Sequence, residues 1–104
     1  MERPLPMACS LSAGDQAERQ RELVSLSSRV LGAETTAGGG SLIRLRPEGD
    51  TEARLEQIVA AERECCPFLD LSLGEDRSGL TLLIEGPTGA EPVIAEIVDA
   101  LTGA

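Results

Sequence analysis

The chain contains no histidine, lysine, tryptophan or tyrosine, and Phe68 is its one aromatic residue. Without histidine it lacks the commonest general base, the usual nucleophile triads and every imidazole metal ligand. Without lysine all its positive charge is arginine, and the formal net charge is −9. That balance argues against a nucleic-acid partner, which calls for a basic stripe, and single-strand binding further calls for stacking aromatics. An anionic membrane surface would repel it as well. Neither a Walker A sequence nor GxGxxG occurs, so the glycine run Gly38 to Gly40 reads as a flexible loop rather than a phosphate cradle. The opening MERPLPMACSLSAG holds no apolar core of signal-peptide length, and apolar runs elsewhere are only a few residues long, so a soluble, cytoplasmic protein is expected.

What remains is 104 residues, 41% of them hydrophobic, enough for one small domain spanning 1–104 with residues 1–6 expected to be disordered. Three cysteines, Cys9, Cys65 and Cys66, are an odd number that cannot pair fully within the chain, which favours reduced thiols over a secreted disulfide scaffold.

Met7, Cys9 and Leu11 alternate as a short strand would. From about Asp15 to Leu31 the apolar positions Ala17, Leu23, Val24, Val30 and Leu31 recur at helical spacing, with Gly32 available as a C-terminal cap. Thr35 to Gly40 is a loop, and Ser41 to Arg46 alternates as a half-exposed strand ended by Pro47. Asp50 or Thr51 caps a second helix with the stripe Leu55, Ile58, Val59, Glu62, Cys65 and Cys66, stopped by Pro67. Leu69 to Leu73 and Leu80 to Ile84 alternate around GEDRSG as a hairpin. Thr88 with Glu91 forms a capping box for a third helix with the stripe Val93, Ile94, Ile97, Val98 and Leu101. The order (β)αβαββα predicts an α+β fold, a small mainly antiparallel sheet with three helices packed on it.

One feature breaks the pattern. Glu62 lies three residues before Cys65 and four before Cys66, so a carboxylate and two thiols share an otherwise apolar helix face. A buried, unpaired carboxylate costs several kcal/mol, so Glu62 must be protonated, paired with an arginine, bound to a metal or placed at the wet edge of the stripe. Adjacent cysteines fit structural zinc poorly, and a disulfide between neighbours strains the backbone. Thiolates select soft ions, and Cys65 and Cys66 with Cys9 make a three-sulfur set for Hg(II), As(III) or Cu(I). The alternative is that free cysteine packs as a small hydrophobe. A nucleophilic role fits less well, because a helix C-terminus and Glu62 both disfavour a thiolate.

ACSL, AERECCPFLDLSL and LIEGPTGAEPVI together resemble a group of small bacterial proteins that have an N-terminal cysteine segment and a Glu-x-x-Cys-Cys-x-Phe centre. They occur alone or fused to MerR-type metal-responsive regulators. The resemblance spans nearly the whole chain and implies thiophilic metal handling, mainly of mercury, with Cys9, Glu62, Cys65, Cys66 and Phe68 as the matching positions. The chain lacks a helix-turn-helix half, so a regulator's DNA binding does not carry over.

The leading expectation is a scavenger, carrier or detached sensor domain for a soft metal or metalloid ion, with Cys65 and Cys66 as primary ligands and Cys9 as the third. Glu62 is then a weak ligand or the proton acceptor. The other class is a non-enzymatic interaction module with structural cysteines, which a homodimer would help to complete. An enzyme on organomercurials or thiols has no evident proton donor beyond Glu62 or Asp70.

Overall fold

Two serine-rich and proline-rich breaks, at 25–28 and 47, divide the chain into helices and strands whose buried positions all meet in one core. The computed structural model describes residues 13–77 and 79–103, and the side chains of residues 13–16 and Cys65 lie outside that description. The order is α1 (Ala13–Ser25), a 3-10 turn (Ser27–Arg29), β1 (Val30–Thr35), β2 (Ser41–Leu45), α2 (Thr51–Cys65), β3 (Asp70–Asp76), β4 (Gly79–Glu85) and α3 (Glu91–Thr102). The four strands form one antiparallel sheet in the order β1-β2-β4-β3. The fold is α+β, with three helices on the sheet.

Alternation decides which face is covered. Ile43 and Leu45 on β2, Leu80, Leu82 and Ile84 on β4, and Leu71 on β3 are buried, while Leu42, Arg44, Thr81 and Leu83 between them are only half-buried. Against the buried face lie Leu23, Leu55, Ile58, Val59, Ile94, Ile97 and Leu101 from the helices. Val30 and Val98, expected in the core, are half-buried and pack against it.

The first helix differs from its expected course. It ends at Ser25, and Val30 and Leu31 belong to β1 rather than to its last turn. Ser25 Oγ donates to the Glu22 carbonyl at 2.7 Å, and Leu26 and Arg29 close successive tight turns onto Leu23 and Leu26. Serine side chains of this kind compete with the helical ladder, and the apolar spacing carries on past the break by coincidence. Gly32 consequently sits in a strand opposite Arg44 beside a bulge, rather than capping a helix. Residues 36–40 become the turn of a β1–β2 hairpin, where Thr36 and Gly40 exchange hydrogen bonds. Gly40 has a specific reason to be glycine: a Cβ there would meet the Ile84 carbonyl oxygen at 2.3 Å.

Smaller adjustments occur elsewhere. The β3–β4 strands run longer than expected, so GEDRSG contributes mostly to the ladder, which extends to the pair Asp76 and Gly79. The Thr88 capping box does not form; Ala90 is the N-cap of α3, and Glu91 Oε1 instead accepts from the Gly89 N–H at 2.9 Å. The strand expected at 7–11 lies outside the described residues.

Candidate functional site

The site is built at the C-terminal end of α2, whose buried inner stripe of Leu55, Ile58, Val59 and Glu62 is continued by Cys66 just past the last helical residue. Pro67 forces the residue before it out of helical geometry, and Cys66 takes φ −129° and ψ 68°. Its N–H donates to the Glu62 carbonyl at 2.7 Å, closing the last turn, while its own carbonyl accepts from Leu69 N at 3.0 Å. That second bond turns the chain over Phe68, half-buried against the core, and into β3.

Glu62 is fully buried, which settles one of its expected alternatives: it is not at the wet edge of the stripe. Its carboxylate accepts from Arg19 Nε on α1, and the guanidinium is itself largely buried, at 14% side-chain exposure against 1% for Glu62. An isolated carboxylate in this position would be costly, and the arginine removes most of that cost. The ion pair also fastens α1 to α2 across 43 positions of sequence. Pairing with an arginine was one of the four alternatives open to Glu62 in the sequence, which could not select Arg19 among the nine arginines.

Cys66 is fully buried and disulfide-bonded. This corrects the expectation of a reduced thiol at Cys66. The other two cysteines, Cys9 and Cys65, both have side chains outside the description. The structure therefore brings Glu62 and Cys66 onto one buried face and adds Arg19, while the positions of the two remaining sulfurs are not described. Among the described residues no three histidine, cysteine, aspartate or glutamate side chains converge to hold a metal ion. Among the same residues no helix is long and apolar enough to cross a membrane.

A second set of polar contacts anchors the opposite end of α2. Arg29 donates to Asp50 Oδ1 at 2.7 Å and to Thr51 Oγ1 at 2.9 Å, and the buried Thr51 hydroxyl donates to the Glu48 carbonyl at 2.6 Å. The hydrogen bond from Arg29 holds the Asp50 carboxyl below its ordinary range. Both ends of α2 are thus fixed by arginines from the α1 and 3-10 region, which holds the cysteine turn in place.

No family model, curated protein or solved structure matches the chain.

Proposed function

We propose that the chain captures a soft thiophilic ion, Hg(II), As(III) or Cu(I), on the thiolates of Cys65 and Cys66 with Cys9 as third ligand, after reduction of the disulfide that holds Cys66. The observation that carries this reading is the disulfide itself: a second sulfur comes within bonding reach of a fully buried Cys66. Two sulfurs close enough to bond when oxidised are, when reduced, close enough to hold one large, polarisable ion between them. Reduction by a cytoplasmic dithiol would break the S–S bond, oxidise that dithiol to its own disulfide and leave two thiols. Each thiol that ligates then loses a proton. Glu62, one helical turn away on the same buried face, is the carboxylate of the site that would receive one, with Arg19 beside it.

The second reading, an interaction module with structural cysteines, draws on the complete burial of Cys66 in the core. One experiment separates the two. Native mass spectrometry of reduced protein titrated with Hg(II), As(III), Cu(I) and Zn(II) should show one soft ion per chain, absent from the oxidised protein and much weakened by Cys66→Ser. Equal binding before and after reduction, or a preference for Zn(II), would overturn the proposal and leave the structural reading.

A further inference from the structure

β3 is a terminal strand of the sheet, so among the described residues nothing pairs with its outer edge. Arg63 of α2 donates to the Leu71 carbonyl at 2.8 Å, which identifies that carbonyl as pointing away from β4 and toward the helix. In an antiparallel ladder residues two apart direct their N–H and C=O to the same side. The N–H and C=O groups of Leu73 and Glu75 therefore face the same edge. Along it runs a trough between β3 and α2, made of two hollows of about 240 and 350 Å³ that share Glu56 and Leu73. The helix contributes positions from Glu52 to Arg63, a span of about 16 Å at 1.5 Å per residue, room for roughly five residues of extended chain.

The chemistry of the trough is asymmetric. Its floor is apolar, from Leu55, Leu73 and Leu80, and its rim at the α2 N-terminal end carries Glu52, Glu56 and Glu75. None of these three carboxylates is in an ion pair among the described residues. At the other end Arg63 already occupies the Leu71 carbonyl and closes the edge. An open strand edge provides main-chain pairing, an apolar floor accepts alternate side chains, and unpaired carboxylates select cations. We infer that this trough is a docking surface for a basic extended peptide, which adds as a fifth strand beside β3 with aliphatic side chains on the floor and arginine or lysine at the glutamate rim. The surface lies apart from Cys66 and stands on observations independent of the thiols, so the oxidised and reduced proteins are expected to bind alike.

The probe is a blocked hexapeptide of alternating arginine and valine, titrated into the isotopically labelled full chain and followed by NMR. Shifts and slowed exchange at the Leu73 and Glu75 amides are expected. The same peptide N-methylated on every residue, which has no N–H left to donate to the edge, should fail to bind, as should its glutamate–valine counterpart. The double variant Glu52→Gln, Glu56→Gln, both exposed and remote from the core, should weaken binding about fivefold, the sum of two exposed ion pairs. Unchanged edge amides, equal affinity for the N-methylated or acidic peptide, or undiminished binding to the double variant would overturn the inference. So would protection of those amides in peptide-free protein, whether by a second copy or by residues 1–12 of the same chain.

Discussion

Arg19 and Glu62 form a nearly dry ion pair between α1 and α2, one helical turn from the disulfide-bonded Cys66. The pair has unequal consequences for its single and double replacements. Arg19→Met leaves the carboxylate buried and unpartnered by its guanidinium, and should lower the unfolding free energy by about 3 kcal/mol at pH 7. Arg19→Met with Glu62→Leu removes both charges and should recover most of that loss. Urea denaturation of the three proteins checks it; a double variant as unstable as the single one would mean that shape, rather than charge, matters at this contact.

The disulfide of Cys66 has two candidate partners in the sequence, and the physics favours Cys9. A bond between adjacent cysteines closes a small strained ring, whereas a long loop needs no such distortion. Trypsin, cutting after arginine except before Pro4 and Pro47, leaves Cys9 in the fragment 1–19 and both other cysteines in 64–77. Non-reducing digestion should yield those two fragments joined, and reduction should separate them. Recovery of an unlinked 64–77 fragment two hydrogens light would assign the bond to Cys65.

Gly40 and Gly38 lie in the same hairpin turn yet should respond oppositely to alanine. At Gly40 the new methyl meets the Ile84 carbonyl oxygen at 2.3 Å and Glu85 Cγ at 2.9 Å, so the hairpin must shift. The cost should be about 1–3 kcal/mol. At Gly38 nothing lies within 4 Å, and alanine should be neutral or slightly stabilising through its restriction of the unfolded chain. Thermal midpoints of the two variants decide it.

Asp50 gives the acid limb of stability a specific contributor. The hydrogen bond from Arg29 lowers its carboxyl below the ordinary 3.8. A group with a lowered folded value stabilises the fold while it is charged in both states, and that stabilisation disappears as the pH falls through the lowered value. The gap in unfolding free energy between wild type and Asp50→Asn should therefore hold at neutral pH and shrink from about pH 4 downward. It should also narrow with added salt, because the carboxylate is exposed. A gap that stays constant down to pH 2 would assign the contact's value to geometry alone.

The α+β class, the second and third helices and the β3–β4 hairpin are legible in the sequence because each has a long stripe or a clean alternation. β1 is not. Its burial runs half-buried then exposed throughout, so no apolar period marks it, and Val30 and Leu31 happen to extend the stripe of α1. Its existence is set by hairpin pairing with β2, a cross-strand term that single-strand patterning does not carry. At the site, Glu62 stands out through its position on an apolar face, and pairing with an arginine is one of the alternatives that position leaves open. Which arginine answered depended on how α1 crosses α2. The trough beside β3 is not legible for the same reason: nothing in the sequence singles out Glu52, Glu56 and Glu75 until the helix is laid along the strand.

The fasteners between elements are guanidinium groups. Arg19 joins α1 to α2, Arg29 the 3-10 turn to α2, Arg44 holds Glu34 and Asp76 across the open sheet face, and Arg54 reaches Ser25. Its two carboxylate partners raise the already high value of Arg44 further. Such cations keep their proton throughout the usable alkaline range. With no histidine, lysine or tyrosine in the chain, cysteine is the one side-chain type left that ordinarily titrates between neutrality and strong alkali. The molecule is in that sense electrically silent above the carboxylate range. Any proton released there on ion capture by the reduced protein, the α-amino group and a proton retained by Glu62 aside, reports a thiol directly.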